Sequence, residues 1–142
     1  MFSKACEYGI RATLYIAQQS KNEMRPNLGE ISKAVNSPEA FTAKIMQKLA
    51  KHGVIESKKG PSGGFFIALS SKTKLIDIVL AIDGDSIYNG CGLGLAECSE
   101  SHPCPLHDEF VAIRGDLKKM LNNTEIITLT GKLDSGFSFL KL

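Results

Sequence analysis

The fold is decided by residues 37–66, which read SPEAFTAKIMQKLAKHGVIESKKGPSGGFF. A serine followed by proline and glutamate is typical of a helix start, with the serine as cap and the proline in the first turn. Four apolar residues then share one face of this helix: Phe41, Ile45, Met46 and Leu49. Gly53 is the kind of residue that ends a helix, so the sequence predicts an amphipathic helix over this segment.

The hydrophobic period changes after Gly53. Val54–Ser57 and Phe65–Leu69 are short and strand-like, and the loop between them consists of turn residues and two lysines. This pattern predicts a β-hairpin that directly follows the amphipathic helix.

Upstream of residue 37 the sequence predicts two further helices. Residues 3–20 have a helical period, and Asn27 and Glu30 have the spacing of a capping box. The second helix ends at Asn36, which leaves a very tight turn before the third. Two helices joined in this way form a helix-turn-helix, and the hairpin that follows is a wing.

Downstream of the hairpin we expect a fourth helix over residues 72–83, closed by Gly84, and then a loop over residues 84–104 without secondary structure. A long helix starts at Pro105, and its apolar residues are spaced 4, 3, 4 and 3 apart: Leu106, Phe110, Ile113, Leu117 and Met120. This heptad spacing favours pairing with a second helix, with packing on its own domain as the alternative. The tail includes a strand-like run over residues 126–129.

The predicted fold is therefore mainly α with a small β-hairpin. It comprises a winged helix-turn-helix domain (1–83), a cysteine-bearing loop (84–104), and a dimerisation helix with a tail (105–142).

Charge is distributed unevenly over the 142 residues, whose net charge is +2. Residues 1–75 hold 12 Lys and Arg against 5 Asp and Glu, whereas residues 76–142 hold 5 against 10. A basic half indicates a polyanionic partner for that half. No apolar run is long enough to cross a membrane, and Glu7 and Arg11 interrupt any secretory signal, so we expect a cytoplasmic protein.

The third helix and the wing carry the residues expected to contact DNA. Small and polar residues on the helix suit base edges in the major groove, and lysines suit phosphates. A narrow, basic, glycine-rich wing suits the minor groove or the backbone. The predicted DNA-binding residues are Thr42, Ala43, Lys44, Gln47, Lys48, Lys51, Lys58, Lys59, Pro61 and Ser62.

Three cysteines, Cys91, Cys98 and Cys104, lie within the loop. Thiolates suit iron–sulfur clusters, zinc or Cu(I), and this spacing is too wide for paired Cys-x-x-Cys zinc ligands. An iron–sulfur cluster is therefore the expected cofactor. The proposed fourth ligand is His107, which lies three residues after Cys104. The alternatives are His102, Cys6 and Glu7, the last of these from a partner subunit.

Several of these segments together resemble the Rrf-type winged-helix transcription regulators, the family of IscR, NsrR, RirA and CymR. The resemblance covers nearly all of the chain. It is carried by the first helix with Tyr8, by residues 41–55, by the wing motif of residues 59–65, and by the three-cysteine loop before the long helix.

The resemblance implies a homodimer with an exchanged long helix, palindromic operators and a cluster held by the three cysteines. It implies a 2Fe–2S or 4Fe–4S cluster, of which 2Fe–2S is favoured. IscR-like members complete a 2Fe–2S site with a histidine that matches His107, and NsrR-like members use an acid that matches Glu7. Two features depart from the family pattern. Ala43-Lys44 stands where many members have Glu-Gln, and the first cysteine spacing is six residues rather than five.

The sequence thus predicts a sequence-specific DNA-binding regulator that senses redox state, nitric oxide or iron–sulfur status, and not an enzyme. The second hypothesis keeps DNA binding without a cluster, with thiol sensing or a partner enzyme as the control. A small thiol- or metal-dependent enzyme using Cys104, His107 and Asp108 is the third.

Overall fold

The computed structural model describes residues 1–140 and contains seven helices and one two-stranded sheet. In chain order the elements are α1 (Lys4–Lys21), α2 (Leu28–Val35), α3 (Glu39–Lys51), β1 (Glu56–Lys58), β2 (Gly64–Phe66), α4 (Leu75–Ile82), α5 (Ser86–Asn89), α6 (His107–Asn123) and α7 (Ile126–Asp134). The prediction of a mainly α fold with one hairpin is confirmed. Residues 141 and 142, the end of the predicted tail, lie outside the described residues.

Helix α1 is the centre of the domain and contacts α2, α3, α4, α7 and the hairpin. Ser3 caps it by accepting a hydrogen bond from the Cys6 amide at 3.0 Å. Gly9 lies where a Cβ atom would be 2.2 Å from a methyl carbon of Ile82, so a glycine here lets α4 approach α1 closely.

The helix-turn-helix consists of α2 and α3. The predicted capping box is present, because Glu30 donates its amide to the Asn27 side chain at 2.9 Å and its carboxylate accepts from the Asn27 amide. Asn36 ends α2 in the left-handed region with φ 54°. The prediction that Ser37 caps α3 is wrong: Pro38 occupies that position, and the Ser37 hydroxyl bonds the Thr42 hydroxyl instead.

The hairpin pairs β1 with β2 in antiparallel register, with Ser57 opposite Phe65. Its strands are shorter than predicted, and β1 starts two residues later. The reason is that Val54 and Ile55 are buried in the core before the pairing begins. The Phe65 amide donates to the Pro26 carbonyl at 2.9 Å, which fixes the hairpin to the loop between α1 and α2.

Two predictions for the C-terminal half are corrected. The 84–104 segment contains a short helix, α5, whose Tyr88 is buried. The run over residues 126–129 is the start of helix α7 and not a strand. Ile126 and Thr130 are fully buried there, and the side chains at 126, 129, 130 and 133 share one helical face that packs on the core.

The second half of α6 packs on its own domain, with Leu121 fully buried and Leu117 partly buried. The predicted apolar seam is only partly covered by the rest of the described chain. Phe110 and Leu117 are half-buried, whereas three residues spaced by seven remain exposed: Leu106 at 40%, Ile113 at 61% and Met120 at 46%. Helix α6 therefore presents an apolar row that the described chain does not cover.

Candidate nucleic-acid interface and metal centre

Helix α3 turns its basic face to solvent because its apolar face packs in the core. Ile45, Met46 and Leu49 are buried, and their spacing turns the opposite side of the helix to solvent. The predicted DNA-binding residues found on that outer side are Lys44, Gln47, Lys48 and Lys51, all exposed, with Ala43 half-exposed. An exposed basic helix face of this length fits a major groove.

Thr42 does not lie on this face, which corrects its predicted outward position. The side chain is 1% exposed and its hydroxyl donates to the Pro38 carbonyl at 2.9 Å. Thr42 stabilises the start of α3 from inside, and it cannot reach a base in this conformation.

The wing places its candidate residues at an exposed tip. Lys58, Lys59, Pro61 and Ser62 are all exposed. The turn is closed by a hydrogen bond of 2.9 Å from the Gly63 amide to the Gly60 carbonyl, and Gly60 has φ 106°, which favours glycine. The two ion pairs within residues 1–140 are Lys4–Glu7 and Lys21–Asp134, so no carboxylate neutralises the lysines of α3 or the wing.

The three loop cysteines converge on one point. Their Sγ atoms all lie within 4.8 Å of one another, and those of Cys91 and Cys104 are 3.7 Å apart. Two thiolates on one tetrahedral metal with bonds of about 2.3 Å would be separated by a similar distance. None of the four cysteines, all within residues 1–140, forms a disulfide. The donor set thus fits a soft metal centre.

Backbone amides surround these sulfur atoms. The Leu93 amide donates to Cys91 Sγ at 3.4 Å, and the Cys104 amide donates to Cys98 Sγ at 3.4 Å. Hydrogen bonds from the Leu95 and Leu93 amides lower the pKa of Cys91 to about 7. Burial raises the pKa of Cys104, which is the most enclosed of the three. Amide donors favour a thiolate, the form that binds metal.

Of the four residues considered as a fourth ligand, His107 is in contact with one of these sulfurs. Its Nδ1 lies 3.3 Å from Cys98 Sγ. The other candidates lie elsewhere in the chain. His102 is exposed and bonds Ser101, Cys6 is fully buried beside Asp83, and Glu7 pairs with Lys4. His107 therefore contacts one of the three sulfurs, whereas the group whose donor atoms all lie within 4.8 Å of one another consists of the three cysteines.

Two contacts around the loop were not predicted. Gly92 packs against the Phe110 ring so closely that a Cβ atom would lie 2.7 Å from it, which fixes the cysteine loop to α6. Asp83 accepts hydrogen bonds from the Ser3 amide, at 3.1 Å, and the Ser3 hydroxyl, which fixes the start of the loop to α1. The Gly-Cys-Gly run was a signal for the first contact, whereas nothing in the sequence indicated the second.

Comparison with known proteins identifies the family. Residues 2–132 match the Rrf2 model, described as iron-dependent transcriptional regulator. The chain belongs to the Rrf2 family of transcription regulators. An HTH-type transcriptional regulator of Aquifex aeolicus is 31% identical over 129 residues, which cover 89% of this chain and 88% of the relative. IscR of Photorhabdus laumondii is 25% identical over 90% of this chain and 83% of its own length.

Solved structures of Rrf2-type regulators share the fold. The structure of CymR, the global cysteine regulator of B. subtilis, has a TM-score of 0.73 at 20% identity and covers 92% of this chain and 96% of its own. T. potens IscR also has a TM-score of 0.73, at 17% identity, over 98% of this chain and 92% of its own. Among residues 1–140, no helix is long and apolar enough to span a membrane.

Proposed function

We propose that this Rrf2-family chain is a homodimeric, sequence-specific DNA-binding regulator whose affinity for its operator depends on an iron–sulfur cluster. The observation that carries the proposal is the convergence of three thiol sulfurs within 4.8 Å on a loop joined directly to α6. Because DNA is the proposed ligand, we expect a cytoplasmic protein.

The DNA-binding surface combines α3 with the wing. Lys44, Gln47, Lys48 and Lys51 are exposed on α3, and the wing adds the exposed Lys58 and Lys59. Without nearby carboxylates, these lysines are available for phosphates, which supply most of the affinity and make it strongly salt-dependent. On α3, Ala43 and Gln47 would then contact base edges in the major groove. On the wing, Pro61 and Ser62 would contact the minor groove.

Dimerisation through α6 would cover the exposed row of Leu106, Ile113 and Met120. The spacing of seven residues is that of a helix-pairing seam. A two-fold dimer sets the distance between two α3 helices, and half-sites one helical turn apart, about 34 Å, would then be bound together. The operator is accordingly palindromic.

The cluster would be held by Cys91, Cys98 and Cys104, with His107 as the fourth ligand. Bound iron and sulfide supply a centre that reacts with oxidants and nitric oxide. We favour 2Fe–2S, with 4Fe–4S as the alternative. His107 is the first residue of α6, so a change in ligation at this residue acts directly on the helix that sets the dimer spacing. A difference in cluster affinity between two spacings is sufficient for regulation.

The test is to purify wild type, Cys98→Ala and Cys6→Ala without oxygen and to measure visible absorbance, iron and sulfide. We expect a chromophore with about two irons per chain in wild type and in Cys6→Ala, and none in Cys98→Ala. Cys6→Ala is the matched control, because Cys6 is buried away from the three-sulfur centre. Equal absorbance in wild type and Cys98→Ala would contradict the assignment.

Zinc is the second candidate for this site, because three sulfurs within 4.8 Å of one another also suit a single tetrahedral ion. His107, whose Nδ1 lies 3.3 Å from Cys98 Sγ, is its candidate fourth ligand. Stoichiometric zinc without sulfide in the same preparations would select it. Absence of both metals, with DNA binding retained, would select thiol sensing or control by a partner enzyme.

A further inference from the structure

We propose that Arg25, on the loop between α1 and α2, is an additional phosphate contact that extends the DNA surface of the wing. The proposal rests on DNA binding by α3 and the wing, and it is independent of the cluster. Neither helix periodicity nor the wing motif marks this residue, which lies about thirty positions before the wing in sequence.

The position of the Arg25 guanidinium is fixed by the hairpin. Its central carbon lies 4.6 Å from the centroid of the Phe66 ring, and Phe66 is the last residue of β2. A guanidinium stacked on an aromatic face has lost much of its conformational freedom, so little further entropy is lost when it binds an anion.

The backbone around Arg25 is joined to the wing as well. The Phe65 amide donates to the carbonyl of Pro26 at 2.9 Å. A Cβ atom at Gly64 would lie 2.2 Å from the Arg25 carbonyl oxygen, so glycine is required for this approach. Because of these contacts, the 24–26 loop and the hairpin form one unit and meet a DNA backbone together.

Arg25 also shares a surface with the wing tip. It lines a groove of about 700 Å³ together with Pro61, Ser62 and Gly63. Its side chain is exposed, with its outer face open to an incoming ligand. This surface groove therefore places Arg25 beside the wing residues that are expected to enter the DNA minor groove. The phosphates on either side of that minor groove would then pass close to Arg25.

The charge on Arg25 is not neutralised. Glu23 and Glu30 line the same groove, but neither forms an ion pair with it, and the only ion pairs within residues 1–140 lie elsewhere. The Glu30 carboxylate is occupied by the Asn27 amide of the capping box. The Arg25 guanidinium is a planar group of N–H donors without a carboxylate partner. It can bind the oxygens of a phosphate diester through two hydrogen bonds.

The experiment measures binding of a fluorescent mixed-sequence duplex to the whole protein across a series of salt concentrations. The variants are Arg25→Gln, Arg25→Lys and, as the matched loss of one exposed charge on α7, outside the DNA surface and the proposed dimer helix, Lys132→Gln. We expect Arg25→Gln to weaken binding about threefold to tenfold at low salt and to reduce the slope of log K against log salt by about 0.9. Arg25→Lys should retain the slope with weaker binding, and Lys132→Gln should match wild type.

A purely structural role for Arg25 would lower affinity without changing the slope, so an unchanged slope for Arg25→Gln overturns the proposal. Equal effects of Arg25→Gln and Lys132→Gln also overturn it, because net charge alone would then explain both. A wild-type protein that does not bind the duplex at any salt concentration refutes DNA binding itself, which is a distinguishable result.

Discussion

The DNA-binding half and the cysteine loop of this chain are ordered by different forces. Residues 1–83 contain a continuous apolar core, with Ile16, Ile31, Leu49 and Ile78 fully buried. In residues 84–104 the only buried side chains are Tyr88 and Cys104. The loop is shaped instead by amide–sulfur hydrogen bonds and by close contacts such as Gly92 with Phe110.

Under the proposed function, this difference would let one small chain combine a rigid DNA-binding domain with a loop that responds to its metal centre. A packed core resists local change, whereas a segment with few buried apolar contacts opens at low free-energy cost. Ligation of a metal by the sulfurs would supply the order that packing does not. The comparison can be tested at the cysteines, in the core and at the surface.

The largest expected effect is on thiol reactivity. In metal-free protein, hydrogen bonds from Leu95 and Leu93 lower the pKa of Cys91 to about 7, whereas burial and then Asp83 raise that of Cys6 to about 12. A higher thiolate fraction, offset in part by lower intrinsic nucleophilicity, should make Cys91 alkylate about a hundred times faster at neutral pH.

Mass spectrometry of iodoacetamide-treated, native metal-free protein measures these rates. The Cys91 rate should rise with pH and level off above about pH 8, since the thiolate is the reactive form. Similar rates for Cys6 and Cys91 in the folded protein would show that the two regions do not differ in this way.

The second prediction compares leucines from the two regions. Leu49→Ala removes a fully buried side chain from the core and should lower the free energy of unfolding by about 2–5 kcal/mol. Leu93→Ala, at a loop residue that is 50% exposed, should change it by less than about 0.5 kcal/mol. Urea unfolding followed by circular dichroism measures both, and a large loss for Leu93→Ala would mean that the loop belongs to the core.

The smallest effect concerns the contact between α1 and α7. Hydrogen bonds from Lys21 and then Gln18 lower the pKa of Asp134 in the folded protein. A lowered pKa contributes stability above the pKa of the unfolded chain, and this contribution is lost as the pH falls through the folded value.

Asp134→Asn removes this ion pair and should therefore lower the melting temperature at pH 7. The decrease should be small, because the ion pair is exposed to solvent. The difference from wild type should begin to shrink below the usual aspartate pKa of about 3.9. It should disappear once the pH is below the lowered pKa of Asp134. A difference that persists unchanged at low pH would show that Asp134 acts through packing and not through charge.

The core elements could be predicted because their patterns are local. The periodic spacing of apolar residues predicted helices α1 to α4. The capping box of Asn27 and Glu30 predicted the start of α2, and Gly53 predicted the end of α3. Two of the errors, at Thr42 and at residues 126–129, came from judging residues by type instead of by period. Thr42 shares the buried spacing of Ile45, Met46 and Leu49, and residues 126–133 have a helical period despite their β-branched side chains.

The site was less predictable because its contacts join distant segments. The cysteine spacing indicated a metal centre, but the convergence of the sulfurs depends on amide hydrogen bonds that no periodicity encodes. Two other contacts likewise join residues far apart in sequence. Arg25 packs on the Phe66 ring, and Ser3 donates a hydrogen bond to Asp83. Only the folded chain shows that these groups meet.

The most direct test of the account is to select bound duplexes from a random-sequence library with cluster-loaded protein and, separately, with metal-free protein. The account predicts that at least one form enriches a palindrome with half-sites about one helical turn apart, and that the two forms differ in affinity for it. Enrichment of no palindrome by either form, or equal affinity of both forms for the selected site, would contradict it.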